Sequence, residues 1–291
     1  MQTKKPVWRI ILAVVLAMLV AVAVTGCSSG DKKPAANSPA GAAADDSLAK
    51  IKAKGRLVVG INAEFAPYEF HKMINGKDTV VGFDVDLAKD IAKDMGVELE
   101  LKELAFDALL TTLQSGQVDV IISGLSATEE RRKTVDFSDI YYKSGQVVLT
   151  TKENVGKYNN FNDLKDKKIG IQLSSLQDKL MPTLLPDGKY TRIESMNTLF
   201  LSLKSNQIDC IVTSQVVSEM AVAANPEFAV VEKFKIDDSS LNSPGNGVAL
   251  RKGSDTLKAQ INTTVKRLND SGQMKKYIDE ACKLAGTSQM K

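Results

Sequence analysis

An arginine among small and charged residues offers the clearest chemistry in this sequence. Arg131 lies in the segment "SGLSATEERRKTVDFSDIYY" (residues 123–142), which follows the apolar run "VDVIIS". A guanidinium group binds a carboxylate through two parallel charge-assisted hydrogen bonds. The residues alone leave two interpretations open: Arg131 binds an anionic ligand, or it pairs with Glu129 or Asp136 on a solvated surface. We assign its neighbour Arg132 to the surface.

The elements that must position this arginine follow from an alternation of short apolar runs and amphipathic helical patterns. Strands are predicted at "RLVVGIN", "VELELKEL", "VDVIIS" and "GQVVLTT", with helices at "FDVDLAKDIAKDMG" and "DALLTTLQSG" between them. The pattern restarts at "KKIGIQ" and continues to "FAVVEK". The sequence therefore predicts an α/β fold of two lobes, each built on a doubly wound sheet flanked by helices.

The two halves also match each other in sequence. The segment "DALLTTLQSGQVDVIISG" can be laid without a gap on "NTLFLSLKSNQIDCIVTS", which places Asp119 on Asp209. Shared helix-turn-strand geometry also produces such matches, so duplication of the sequence itself stays open. In open α/β sheets, ligands bind beyond the carboxyl ends of the strands. These ends are Ser123–Gly124 and Thr213–Ser214, so we expect a ligand between the lobes.

The first 26 residues are typical of a secretory signal peptide. Three basic residues precede the apolar run "IILAVVLAMLVAVAV", and "VTGC" resembles the lipobox of bacterial lipoproteins. Cys27 is then the lipidated first residue of the mature protein, and residues 27–47 form a flexible tether. The alternative is an ordinary signal peptide beside an unrelated cysteine.

The charge balance of the mature chain excludes several classes of partner. Removing residues 1–26 removes three basic residues and no acidic one, which leaves 35 of each. A neutral balance gives no electrostatic footprint for nucleic acid or for a polybasic membrane patch.

Cys210 and Cys282 are predicted to be buried thiols in different lobes, although the sequence also allows a disulfide.

Six segments together resemble the extracytoplasmic solute-binding proteins of the polar amino acid family, the receptors of ABC importers. They are "LVVGINAEFAPYEF", "VGFDVDLAKDIAKDMG", "FDALLTTLQSGQVDVIISGLSATEERRKTVDFSDIYYKSG", "FNDLKDKKIGIQ", "GVALRKGSD" and "LNDSGQMKKYIDE". The resemblance implies a periplasmic-binding-protein (Venus-flytrap) fold with crossing strands at "QVVLTT" and "GVALR". It assigns residues 48–147 and 250–291 to lobe 1, and residues 148–249 to lobe 2.

The resemblance also implies roles for residues of lobe 1. Arg131, in "TEER", corresponds to the arginine that grips the α-carboxylate of the ligand. Phe65 and Phe106 fall where relatives place bulky apolar groups around the ligand, although either ring also suits the apolar core. The residues that fall on the site of the amino acid head group are Ser123, Gly124 and Ser126.

Lobe 2 departs from the family pattern after the strand "KKIGIQ". Most relatives have Gly-Thr-Thr there, whereas this chain has Ser174, Ser175 and Leu176. The backbone N–H groups at the start of the following helix remain available to a carboxylate. Gln172, Ser175 and Leu176 are therefore predicted to contact the ligand.

A second departure concerns the charge partner of the ligand. Ser214 stands where relatives carry the aspartate that pairs with the ammonium group of the ligand, and we predict that it contacts the ligand. A buried ammonium without a carboxylate partner is costly. Either Glu69 or Glu219 supplies that charge, or the ligand is not an ordinary zwitterionic amino acid.

These observations predict a lipid-anchored, monomeric substrate-binding protein on the extracytoplasmic side of a membrane. It presents a small carboxylate-bearing solute, most simply an amino acid, to an ABC permease and ATPase. No cofactor, metal or nucleic acid is expected, and the motifs of common hydrolases and NTPases are absent from the sequence. His71, the one histidine, is predicted to be solvated. The alternatives are a sensory receptor of the same fold and an enzyme similar to cyclohexadienyl dehydratase. We predict a binding protein without enzymatic activity.

Overall fold

The computed structural model describes residues 45–286. The predicted signal peptide, Cys27 and the tether up to residue 44 lie outside the described residues. The first helix begins at Ser47, the last residue of the predicted tether, and Asp45 Oδ2 accepts a hydrogen bond from the backbone N–H of Thr256 at 2.5 Å. Within the described residues, no helix combines the length and the hydropathy that crossing a bilayer requires.

Nine α-helices form within the described part of the chain. They are α1 (Ser47–Lys54), α2 (Phe83–Met95), α3 (Leu109–Gln114), α4 (Glu129–Arg132), α5 (Leu176–Leu184), α6 (Met196–Lys204), α7 (Gln215–Ala224), α8 (Asp255–Asp270) and α9 (Gln273–Ala285). Gly96 ends α2 in the left-handed conformation. Serine side chains cap the N-termini of α5 and α6 by accepting a backbone N–H bond.

The strands of the described residues make two large sheets and one small sheet. They are β1 (Arg56–Ile61), β2 (Glu64–Phe65), β3 (Glu69–Ile74), β4 (Lys77–Val81), β5 (Glu98–Glu103), β6 (Val120–Ile121), β7 (Val135–Tyr142), β8 (Gln146–Thr151), β9 (Lys168–Gln172), β10 (Lys189–Ile193), β11 (Cys210–Ser214), β12 (Phe228–Ile236) and β13 (Asn246–Arg251).

Each lobe is built on a five-stranded mixed sheet. The strand order in lobe 1 is β5-β1-β6-β13-β7, and the order in lobe 2 is β10-β9-β11-β8-β12. In lobe 1, β1 runs parallel to β5 and β6, whereas β13 runs antiparallel to β6 and β7. In lobe 2, β9 and β8 occupy the equivalent places with the same parallel and antiparallel neighbours. This shared topology confirms the predicted α/β fold of two similar lobes.

The crossings between the lobes differ from the prediction. β13 pairs only with strands of lobe 1, although residues 246–249 are predicted to belong to lobe 2. Gln146 already pairs with Ser214 in the sheet of lobe 2, two residues before the predicted boundary. The chain crosses in two hinge connections, residues 143–145 and residues 237–245, and not within strands. An apolar run such as "GVALR" suits an interior strand of either sheet, so the sequence does not distinguish them.

A small antiparallel sheet of β2, β3 and β4 is inserted between β1 and α2. The sequence did not predict it, because most of β3 and β4 is exposed and lacks an apolar run. The insertion places Phe65 beside Gly124 and Glu69 beside Ser123, directly after β6 of the main sheet of lobe 1.

The apolar core of lobe 1 lies under α2, whose Phe83, Leu87 and Ile91 are fully buried. The predicted thiols are buried as expected, Cys210 in β11 and Cys282 in α9, and they form no disulfide.

Candidate functional site

A cavity between the lobes is lined by both lobes and by both hinge connections. Lobe 1 contributes Phe65, Tyr68, Phe106, Gly124, Ser126, Arg131 and Asn246. Lobe 2 contributes Gln146, Gln172, Ser175, Leu176, Gln177 and Ser214. The hinge connections contribute Lys143, Ser144, Asp238, Ser243 and Gly245. Of the ten residues predicted to contact a ligand, nine line this cavity and Ser123 does not.

Arg131 reaches the cavity from the short helix α4. Thr128 Oγ1 caps this helix by accepting a bond from the Arg131 backbone N–H at 3.3 Å. The guanidinium Nη1 donates to Ser126 O at 2.9 Å in lobe 1, and Nη2 donates to Ser174 O at 2.9 Å in lobe 2. A guanidinium has five N–H donors, so three remain for a further acceptor. Burial lowers the pKa of Arg131 to about 10, which leaves the group charged at neutral pH.

The surface ion pairs considered for Arg131 do not form. Glu129 accepts a bond from the Asn242 side chain at 2.8 Å, and Asp136 pairs with Lys252 at 2.9 Å. Arg132 lies outside the cavity, where its Nε donates to Ala127 O at 3.1 Å. Of the two neighbouring arginines, only Arg131 lines the cavity.

Aromatic rings form the lobe 1 wall of the cavity. Phe65 stacks on the buried Tyr68 with ring centroids 5.1 Å apart. The Tyr68 hydroxyl donates to Asn246 Oδ1 at 3.3 Å. Phe106 lies beside the guanidinium of Arg131, whose Cζ is 5.8 Å from the ring centroid. Both predicted aromatic residues are half-buried at the cavity and do not belong to the fully buried core.

Hydrogen bonds to buried residues of lobe 1 hold the loop after β6 in place. Ser123 is fully buried; its Oγ donates to Glu69 Oε1 at 2.7 Å and accepts from the Asn62 backbone N–H at 3.0 Å. The Gly124 N–H donates to Asp84 Oδ2 at 2.7 Å. Gly124 has φ +53°, and a Cβ there would lie 3.1 Å from the Phe65 ring, so this position favours glycine. Ser123 therefore supports the loop from inside lobe 1, whereas Gly124 lines the cavity.

Neutral amide groups dominate the lobe 2 wall. Gln172 Nε2 donates across the lobes to Asn62 Oδ1 at 3.3 Å and within lobe 2 to Glu194 O at 3.1 Å. Gln177 Nε2 donates to Gln146 Oε1 at 2.5 Å. The side chain of Ser175 caps α5 by accepting from the Asp178 N–H at 3.2 Å. This wall offers hydrogen-bonding dipoles and no formal charge.

The acids proposed to replace the family's aspartate do not reach the cavity. Glu69 is completely buried behind the loop after β6, and Glu219 accepts a bond from the Gln215 side chain at 3.0 Å. Ser214 does line the cavity, and its Oγ is buried without a hydrogen-bond partner. Asp238, on the longer hinge connection, is the acidic member of the lining set.

Several lining residues were not predicted from the sequence. They are Tyr68, Lys143, Ser144, Gln146, Gln177, Asp238, Ser243, Gly245 and Asn246. Those on the hinge connections lack any periodic pattern, and they meet the cavity only because the lobes come together there. Tyr68 follows Phe65 by three residues in "EFAPYEF", which is the one signal that pointed to it.

His71 lies outside the cavity, on the exposed face of β3. Its Nε2 is 2.8 Å from Glu103 Oε2 and its Nδ1 is 3.1 Å from Asp78. These carboxylates raise the pKa of His71 above its usual value. Within residues 45–286, no group of His, Cys, Asp and Glu side chains is arranged to hold a metal ion.

Comparison with known proteins matches residues 57–281 to the model of the bacterial extracellular solute-binding proteins, family 3. The arginine-binding extracellular protein ArtP of Bacillus subtilis is 34% identical over 226 residues, 77% of this chain and 84% of that protein. The glutamine-binding protein of Geobacillus stearothermophilus is 32% identical over 242 residues, 79% of this chain and 90% of that protein.

A solved structure of an amino acid ABC transporter substrate-binding protein, AbpA of Streptococcus pneumoniae bound to L-arginine, superposes with a TM-score of 0.79. It is 36% identical, and the match covers 82% of this chain and 99% of that chain.

Proposed function

The chain belongs to the bacterial extracellular solute-binding proteins of family 3, and on that premise we propose that it delivers an amino acid to an ABC importer. The ligand binds between the lobes, with its α-carboxylate on Arg131. The permease and the ATPase of the importer are the partners, and the receptor acts as a monomer.

The observation that carries this proposal is the hydrogen bonding of Arg131. Its guanidinium bonds to one backbone carbonyl of each lobe and to no carboxylate, and three N–H donors remain. A cation removed from water is costly unless an anion accompanies it. A ligand carboxylate supplies that charge and accepts two of the remaining donors.

The remaining contacts follow from the cavity wall. Gly124 and Ser126 of lobe 1 lie beside Arg131, and Phe65 and Phe106 flank the ligand. On lobe 2, the amide of Gln172, the start of α5 at Ser175 and Leu176, and the hydroxyl of Ser214 complete the enclosure. We assign the ammonium group of the ligand to Asp238, the acid in the lining set.

The lipid anchor is part of the proposal and rests on the sequence. The segment "VTGC" that ends at Cys27 supports cleavage before this cysteine and acylation of its thiol. The receptor then acts on the extracytoplasmic side of a membrane. Labelling with a radioactive or clickable fatty acid tests this, and a Cys27→Ser variant must lose the label.

A calorimetric titration of the purified protein tests the binding role of Arg131. The panel consists of the common L-amino acids and matched carboxylates without an amino group. Two charge-assisted bonds contribute about 3–6 kcal/mol together, so Arg131→Ala weakens the best ligand by about a hundredfold or more. Arg132→Ala is the matched control and leaves the affinity unchanged. Equal affinity of wild type and Arg131→Ala contradicts the proposal.

A further inference from the structure

Two acidic side chains are buried directly behind the loop that lines the cavity. Glu69 begins β3 of the inserted sheet, and Asp84 lies in the first turn of α2. Both side chains are 0% exposed. Acidic residues are almost never fully buried unless they are paired, so this arrangement needs an explanation.

Each acid holds one residue of the loop. Ser123 Oγ donates to Glu69 Oε1 at 2.7 Å, and the Gly124 N–H donates to Asp84 Oδ2 at 2.7 Å. The Tyr141 hydroxyl also donates to Asp84 Oδ2, at 2.9 Å. Glu69 Oε2 and Asp84 Oδ1 are buried and have no hydrogen-bond partner.

The two carboxyl groups lie close enough for each to affect the pKa of the other. A hydrogen bond between them requires a proton on one of them, because two carboxylates have no donor between them. Within the described residues, no Lys, Arg or His side chain bonds to either acid. Two adjacent carboxylates in a buried site do not both ionise.

The neighbouring groups indicate which acid holds the proton. Asp84 accepts two bonds, from Gly124 N–H and Tyr141, and these favour its charged form. Burial raises the pKa of both acids, and the charge of Asp84 raises that of Glu69 further. The titratable groups that face the pair are the phenols of Tyr68 and Tyr141, whose pKa values burial also raises, so both are neutral.

We propose that Glu69 and Asp84 are positioning residues of the ligand site, in which a protonated Glu69 donates to Asp84 and the pair fixes Ser123 and Gly124. The loop they fix leads directly to Ser126, whose carbonyl accepts from the guanidinium of Arg131. Loss of the shared proton places two negative charges behind the loop and displaces it. This inference rests on the proposed function only in that the loop contacts the ligand.

Glu69→Gln is the decisive variant, because its amide donates to Asp84 and accepts from Ser123 as a protonated Glu69 does, yet it does not titrate. Infrared absorption of the full-length protein at neutral pH must show a protonated carboxyl group in wild type and lose it in Glu69→Gln. The Gly124 amide resonance reports the position of the loop without any ligand. Burial raises the pKa of Asp84, the acceptor of Gly124 N–H, to about 6, so the comparison is made above neutral pH. There the resonance should shift as Glu69 ionises in wild type and stay constant in Glu69→Gln.

Stability gives a second readout with a defined sign. The folded protein keeps the Glu69 proton to a higher pH than the unfolded chain, where glutamic acid titrates at about pH 4.3. The unfolding equilibrium constant of wild type therefore rises with pH above that value, by up to about tenfold per pH unit, until Glu69 ionises in the folded state. Above the pKa of Asp84, which burial raises to about 6, Glu69→Gln loses this slope, whereas the control Glu98→Gln at the exposed start of β5 keeps it.

The outcomes separate this inference from the proposed function. A missing protonated carboxyl in wild type, or an unchanged Gly124 titration in Glu69→Gln, overturns the shared proton. If Glu69→Ala does not fold, Glu69→Gln alone decides the question. A titrating Gly124 together with unchanged binding of L-amino acids by Arg131→Ala leaves the pair intact and contradicts the proposed function instead.

Discussion

The two lobes share a sheet topology and also an aspartate that joins neighbouring strands. In lobe 1, Asp119 accepts a hydrogen bond from the backbone N–H of Val58 in β1 at 2.8 Å. In lobe 2, Asp209 accepts from the backbone N–H of Lys168 in β9 at 2.7 Å. These aspartates coincide in the ungapped overlay of the two sequence segments. The similarity of the lobes thus extends to a single side chain.

The lobes differ where their strand ends face the cavity. In lobe 1, Gly124 follows β6, and its N–H is bonded to the buried carboxyl of Asp84. The equivalent position in lobe 2 is Ser214, which ends β11 directly before α7 and has a buried hydroxyl without a partner. The charged groups of the cavity are Arg131 of lobe 1 and two side chains of the hinge connections, Lys143 and Asp238.

This difference predicts a division of labour, in which the two lobes contribute different kinds of interaction to ligand binding. Lobe 1 and the hinge supply charge, and lobe 2 supplies neutral hydrogen-bonding groups. Charge-assisted hydrogen bonds are about twice as strong as neutral ones. We therefore expect lobe 1 to fix the ligand, while the lobe 2 contacts stabilise the closed arrangement by a smaller amount.

The largest effect is expected on the free energy of unfolding, when the two equivalent aspartates Asp119 and Asp209 are replaced in turn. Asp119→Ala removes an acceptor from a buried backbone N–H and also the ion pair with Lys54, so we expect the free energy of unfolding to fall by about 3 kcal/mol. Asp209 is more exposed and its side chain bonds only to Lys168 N–H, so Asp209→Ala costs about 1 kcal/mol.

Urea denaturation of both variants measures this difference. Asp119→Asn and Asp209→Asn are the controls, because asparagine keeps an acceptor for the backbone N–H. If Asp119→Ala and Asp209→Ala lower the free energy of unfolding equally, the ion pair between Asp119 and Lys54 contributes nothing.

The next largest effect is expected on ligand affinity, when the charge of Asp238 in the longer hinge connection is removed. Asp238→Asn removes the carboxylate assigned to the ligand ammonium, and we expect affinity for a zwitterionic amino acid to fall by about 2 kcal/mol in calorimetry. Asp237→Asn is the matched control, because Asp237 is exposed and bonds only to Ser239. Amine-free carboxylates should bind Asp238→Asn no more weakly than wild type. A preference of wild type for such carboxylates contradicts the assignment.

The smallest effect is expected in lobe 2. Gln177→Ala removes a neutral amide from the wall and its bond to Gln146, so ligand affinity falls by about 1 kcal/mol. Gln207→Ala, on an exposed turn of the same lobe, serves as the control for general effects. If Gln177→Ala weakens binding as much as Arg131→Ala does, the division of labour between the lobes is wrong.

Much of the fold could be predicted from the sequence because its apolar runs and terminating glycines coincide with real elements. The helix predicted at "FDVDLAKDIAKDMG" is α2, which runs from Phe83 to Met95 and ends at Gly96. β7 was missed because "VDFSDIYY" mixes polar and apolar residues without a clear period. The second crossing was misplaced because pairing partners, and not composition, decide to which sheet β13 belongs.

The candidate site could be predicted where it lies at strand ends and helix starts, since topology brings those positions to one edge. That reasoning placed Arg131, Gln172 and Ser214 at the cavity, although their roles in binding stay predictions. It could not find Asp238 or Lys143, because the connections that carry them follow no periodic pattern. Ser123 was also expected at the cavity, but its side chain faces the interior, because a serine at a strand end can face either side.

The interior place of β13 also decides when lobe 1 is complete as the polypeptide emerges. Lobe 2 forms from one continuous segment, so its sheet is complete once residue 236 is available. β6 and β7 must wait for β13, which lies between them yet follows all of lobe 2 in the sequence. A nascent chain that ends before Asn246 therefore exposes two unpaired strand edges, which favour association with other chains. We therefore expect a chain truncated before Asn246 to aggregate more readily than one that includes β13.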